Sequence, residues 1–180
     1  MSLTVFTGAC VVLPDRVLER GTLIVSGARL ADVGPDDRQV FPGATLVDLS
    51  GHCVVPGFID VHVHGVEGVD VLDKGAPVRE VARRLARHGV TAFCPTTIAC
   101  DPSSLRAVLE AAADAREAPD PDGARVLPAH LESNFINADF KGAQPLGCLR
   151  RPPTAPATVS AAGNSPPSGD YSGDDLLAEI

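Results

Sequence analysis

The decapeptide PGFIDVHVHG, residues 56–65, sets an acid and two histidines on alternate positions of a run that is otherwise apolar or turn-forming. Side chains alternate across a β-strand, so Asp60, His62 and His64 share one face while Ile59, Val61 and Val63 share the other. The β-branched face is expected to enter a core. On the polar face, two neutral imidazoles two residues apart can converge on one divalent metal ion. Taken alone, the H-x-H pair fits two ordinary hydrogen-bonded histidines as well as it fits a metal site. Gly65 follows at once. A parallel strand that ends in glycine just past its ligands suits the carboxyl-end loop where α/β folds place their sites.

Glu132 is the next candidate, at the end of the apolar run ARVLPAHLE and on the same face as His130. Burying a carboxylate without a partner is costly, so Glu132 needs a cation, a metal or solvent. Two strands of one parallel sheet that both end in candidate ligands open on the same side, which favours His62, His64 and Glu132 as one ligand set. His52 falls in a turn, and for His88, at the end of a helix, the helix dipole is sufficient explanation. Lys141, Arg150 and Arg151 flank the loop after Glu132, where an anionic substrate or plain solvent would receive their charge. Cys94 and Cys100 read as small buried hydrophobes, since no basic neighbour is identifiable to lower a thiol pKa.

Elements that could position these groups follow from the patterning. Residues 3–49 hold runs of Val, Ile, Leu and Thr broken by Gly, Pro and Asp, which predicts a small antiparallel sheet or sandwich without a helix. After Pro56-Gly57 the pattern becomes strand, helix, strand, helix, strand. In VREVARRLARHG, Val78, Val81, Ala82 and Leu85 recur at helical spacing and Gly89 supplies a C-terminal stop. GVTAFCPTT reads as a strand. A second helix opens at Asp101, a capping residue, with Pro102 at the first helical position. This alternation is the pattern of βαβ units and a parallel sheet. Residues 152–170, rich in Pro, Ala, Ser and Gly, read as a linker or irregular excursion, and SGDDLLAEI, with Ser172 as cap, starts a further helix.

Composition narrows the function class. The 180 residues are 44% hydrophobic and 21% charged, with a formal charge of −8, which is ordinary for a globular protein with a core. No basic cluster supports nucleic-acid binding. The five cysteines are odd in number and widely spaced without a C-x-x-C pair, so neither a disulfide framework nor a thiolate zinc site is indicated. With no secretory leader and no apolar run of membrane-spanning length, a cytoplasmic protein is expected.

Together, DLSGHCVVPGFIDVHVHG, GVTAFCPTT and HLESNFINADFKGAQP resemble the amidohydrolase superfamily, and specifically the N-acetylglucosamine-6-phosphate deacetylase family, over residues 3 to 151 or so. The resemblance implies an α/β fold: part of a small β-sandwich domain over 1–55, the first βα units of a TIM-like (β/α)8 barrel over 56–151, and a linker with the start of a helix over 152–180. It implies hydrolysis of the acetamide of N-acetylglucosamine 6-phosphate to glucosamine 6-phosphate and acetate, with one or two divalent metals, zinc foremost. On that basis His62 and His64 would bind the first metal and Glu132 the second or a bridging position. The backbone at Gly142 and Ala143, with Gln144, would contact a small amino-sugar phosphate. A homodimer is implied for the full-length family member.

Two departures stand out. Ser133-Asn134 replaces the family's Gly-Pro after H-L-E, and Gln144 replaces a histidine that helps bind substrate; glutamine hydrogen-bonds but carries no positive charge. That leaves room for another N-acyl substrate. A (β/α)8 barrel takes about 250 residues, and the stretch after Pro56 is about half of that, with three of eight strands recognisable. The family's later histidine ligands and catalytic aspartate are therefore expected beyond this chain. Two expectations follow: the N-terminal part of a metal-dependent deacetylase, or a non-catalytic remnant of one.

Overall fold

A computed structural model describes residues 3–36, 42–132, 134–152 and 173–180. The chain divides between Pro56 and Gly57 into two compact units, each with its own sheet.

In the first unit, β1 (Leu3–Val12), β2 (Val17–Ser26) and β3 (Arg29–Pro35) form an antiparallel meander, as the turn residues predict. The two remaining strands, β4 (Thr45–Asp48) and β5 (Cys53–Val54), instead lie parallel to β1 along its other edge. The purely antiparallel expectation is thus corrected: after β3 the chain crosses to the far side of β1, and an even number of reversals brings it back in the direction of β1. Val5, Ala9 and Val11 of β1 are buried. A register shift between Thr7 and Ala9 is accommodated at Gly8, whose φ is +78° and where a Cβ would lie 2.6 Å from Ser50 Oγ. Only glycine fits both demands.

The second unit is built around β9 (Val90–Thr97). β6 (Phe58–Val63) pairs with it through Ala92 and Phe93 on one edge, and β10 (Arg125–Val126) pairs with the same two residues on the other. β11 (His130–Leu131) continues the third strand against Thr96 and Thr97. All these pairings are parallel. The run predicted as one strand, ARVLPAHLE, is split into β10 and β11, with Pro128, which has no N–H for a ladder, in the gap. A hairpin of β7 (Gly65–Val66) and β8 (Val69–Asp70) follows β6.

Helix α1 (Val78–Ala86) buries the four residues that the spacing predicts, Val78, Val81, Ala82 and Leu85. They pack with Val71, Phe93 and Val126, and with Ala112 and Ala115 of α2 (Pro102–Glu117). Gly89, at φ +79°, turns the chain after α1, two residues beyond its cap at Arg87. Asp101 caps α2 by accepting from Ser104 N at 3.0 Å, with Pro102 at the helix start. The expectation for β6 is corrected in one respect. Ile59 and Val61 are 64% and 62% exposed, and only Val63 meets the core, because α1 and α2 lie over β9 and β10 rather than over the edge strand.

The predicted linker and the Ser172 cap fall almost wholly in residues 153–172, outside the described residues. Helix α3 (Asp174–Leu177) is held by Leu176 against Cys100 and Leu105, by Glu179 paired with Arg106 at 2.6 Å, and by Asp175 paired with Arg150 at 3.1 Å.

Candidate metal centre

The β6–β9 ladder is irregular past Asp60: the register shifts between Asp60 and Val63, and Val63 is paired with Pro95, which has no N–H to give. Thr96 fills the gap: Val63 N–H donates to its Oγ1 at 3.0 Å, and that hydroxyl donates to the Cys94 carbonyl at 3.0 Å. The end of β6 is thereby pinned to β9, with His62 and His64 pointing to the same side.

Their Nε2 atoms lie 3.2 Å apart. Oε2 of Glu132, just past β11, lies 3.3 Å from His62 Nε2 and 3.2 Å from His64 Nε2. One donor atom from each of the three residues falls within 4.8 Å of the others, the one such histidine, cysteine or carboxylate group among the described residues. His64 Nδ1 stands 3.0 Å from the Thr96 carbonyl, which can only accept, so Nδ1 carries a proton. A neutral His64 then presents its Nε2 lone pair to the carboxylate. His64 Nε2 and Glu132 Oε2 are then both acceptors aimed at one point, and they repel unless a proton, as on His62 Nε2, or a metal ion sits among them. Two imidazole nitrogens and a carboxylate oxygen are a donor set suited to zinc, and the backbone bond at Nδ1 is the usual support of a metal-bound imidazole.

Asp60, though on the same strand face, is turned to local structure: its Oδ1 accepts from His62 N at 3.0 Å. His130, whose Nδ1 lies 3.0 Å from the Val61 carbonyl, sets its ring edge-on to His62 at 4.8 Å between centroids. Gly142, at φ +58°, and Ala143 are exposed in a turn closed by Gln144 N donating to the Lys141 carbonyl at 3.1 Å. Gln144 is buried, and its amide meets Glu132 and the Ala99 backbone. Lys141 Nζ donates to the Gly142 carbonyl, and Arg150, 9% exposed, is spent on Asp175 and the Gly147 and Leu149 carbonyls. Asn134 is buried, donating to the Cys100 and Cys148 carbonyls at 2.6 Å each; Ser133 lies outside the described residues. His88 pairs with Glu67 Oε1 at 3.0 Å and His52 with the Ser50 carbonyl at 3.3 Å, and neither is a member of the three-residue cluster. Sequence reasoning passed over Thr96 and the inward use of Gln144, since neither leaves a spacing signal.

In its parallel βα sheet and its small β unit the chain resembles solved N-acetylglucosamine-6-phosphate deacetylases. N-acetylglucosamine-6-phosphate deacetylase from Pasteurella multocida superposes with a TM-score of 0.73 over 82% of this chain and 38% of that one; at 21% identity this is a likeness of fold. A variant of the Mycobacterium smegmatis enzyme, solved in complex with N-acetyl-D-glucosamine-6-phosphate, matches with a TM-score of 0.66 at 28% identity over 84% of this chain and 38% of that one. The Rattus norvegicus N-acetylglucosamine-6-phosphate deacetylase is 38% identical over 148 residues, 78% of this chain and 35% of that protein. The chain is a homologue of the N-acetylglucosamine-6-phosphate deacetylases, a hydrolase family, and it spans about a third of the length of the curated relatives it matches. No family model matches it. No helix among the described residues is long and apolar enough to cross a membrane.

Proposed function

We propose that this chain supplies part of the metal centre of an N-acetylglucosamine-6-phosphate deacetylase, an enzyme that hydrolyses the acetamide to glucosamine 6-phosphate and acetate. In this reading residues 56–151 are the first βα units of a (β/α)8 barrel and 1–55 belong to a small β domain. The observation that carries the proposal is the convergence of His62 Nε2, His64 Nε2 and Glu132 Oε2 at the carboxyl ends of parallel strands. A divalent cation held there, zinc foremost, supplies a Lewis acid that polarises an amide carbonyl and acidifies water. The chain's own residues do the holding. Thr96 fixes the His64 tautomer through its carbonyl and the strand end through its hydroxyl, while the open strand ends leave the ligand atoms accessible, with His62 47% exposed.

The substrate class rests on homology. A second reading, a different N-acyl amino sugar, is favoured by Gln144, which stands where the family resemblance places a substrate-binding histidine and whose amide is occupied by Glu132 and Ala99. Equilibrium dialysis against zinc tests the metal reading. The wild-type chain is expected to take up zinc, and His64→Ala and Glu132→Gln to lose it; uptake unaffected by both changes, or absent from the wild type, overturns the proposal. Acetate release from N-acetylglucosamine 6-phosphate, compared with its galactosamine epimer, by the protein that carries this chain separates the two substrate readings.

A further inference from the structure

Gln144 is 5% exposed, and both ends of its amide are engaged. Ala99 N–H donates to Oε1 at 2.6 Å. A backbone N–H can only donate, so the atom facing it is the amide oxygen, and the NH2 group must face the other way. That group donates to Glu132 Oε1 at 2.6 Å. The second carboxylate oxygen, Oε2, is then the one turned to His62 and His64. The amide is itself anchored at the backbone: Ala99 lies two residues past the end of β9, and Gln144 closes the Lys141–Gln144 turn.

From this we infer that Gln144 is a positioning residue for the metal centre, acting through Glu132: it ties down one carboxylate oxygen so that the other is presented singly to a divalent cation. The inference rests on the metal reading above. It assigns Gln144 a role different from the sugar contact that the family resemblance implies for this position. A donor bound to Oε1 competes with a cation for that oxygen, which favours attachment through Oε2 alone, and it removes the rotational freedom that Glu132 would otherwise lose on binding.

The test uses Gln144→Met, which keeps length and volume but removes both hydrogen-bonding ends, and Gln144→Asn, which keeps the amide but is one methylene too short to span Ala99 and Glu132. Zinc affinity is measured by calorimetric titration, on protein shown to be folded by circular dichroism, and Co2+ is titrated in parallel for its visible absorption. The expected result is a zinc affinity lower by about 10–100-fold in each folded variant, with a Co2+ spectrum altered from wild type because Glu132 can rotate or bind through both oxygens. A residue that only holds the turn to Ala99 would lower the melting temperature of the metal-free chain and leave affinity and spectrum unchanged. Wild-type zinc affinity together with a wild-type Co2+ spectrum in a folded variant overturns the inference while leaving the metal reading intact. A wild-type chain that takes up no zinc overturns both.

Discussion

Thr96→Val is the sharpest perturbation of the scaffold that carries the histidines. Thr96 is fully buried, and its hydroxyl accepts from Val63 N and donates to the Cys94 carbonyl, each at 3.0 Å. Valine has nearly the same shape, so the change opens no cavity. Its cost is the Val63 N–H left without a partner where Pro95 interrupts the ladder. An unsatisfied buried donor costs about 1–3 kcal/mol, and for a chain of this size each kcal/mol lowers the melting temperature by about 2–4 °C, giving a fall of about 2–12 °C. Thr96→Ser, which keeps the hydroxyl and loses a methyl, costs about 1 kcal/mol for a different reason. Hydrogen exchange separates the two: the Val63 amide loses protection in Thr96→Val and retains it in Thr96→Ser. A Thr96→Val protein with the wild-type urea midpoint and an equally protected Val63 amide would show that the Thr96 hydroxyl does not hold the end of β6.

Three further outcomes are expected. Asp101→Ala removes the cap of α2 and costs about 1 kcal/mol by urea denaturation. Because hydrogen bonds from Ser103 and Ser104 hold the Asp101 carboxyl well below its ordinary value, the contribution of its charge is complete above the unfolded carboxylate pKa and is lost progressively as pH falls from about 4 toward the lowered folded value; an Asp101→Ala penalty that does not shrink in acid would contradict this. Burial pushes the Cys100 thiol up to about 11, so iodoacetamide at pH 8 should modify exposed Cys53 and leave Cys100 free until the chain is unfolded, as read by peptide mass. Cys10 and Cys53 face each other across β1 and β5 with their sulfurs 3.5 Å apart, so the thiol oxidant diamide should yield one intrachain Cys10–Cys53 disulfide, and oxidised protein lacking that linked peptide would count against the register.

Much of this molecule follows from rules that act over a few consecutive residues. Apolar residues at helical spacing define the buried face of α1, and Asp101-Pro102 starts α2, since cap and first-turn geometry are set by neighbours in the chain. The alternation of strand and helix after Pro56 already calls for parallel pairing, and the types of His62, His64 and Glu132 already limit what they can bind. Ile59 and Val61 show the limit of that reading: alternation assigns them to one face, but exposure depends on whether a helix lies over that face. The direction of β4 and β5, likewise, is set by which edge of β1 the chain reaches.

Local patterning set the types of the candidate ligands, the helix faces and the parallel pairing after Pro56, because each is written in side chains a few positions apart or in the order of neighbouring elements. That β9 stands between β6 and β11, and so brings Glu132 within 3.3 Å of both imidazoles, depends on how distant segments pack. The same is true of the Thr96 carbonyl at His64 and the Gln144 amide at Glu132, partners 32 and 12 residues apart. Such contacts follow from the stacking of whole strands and from where a loop is anchored, and a hydrogen bond between residues far apart in the chain leaves no periodicity behind in the sequence.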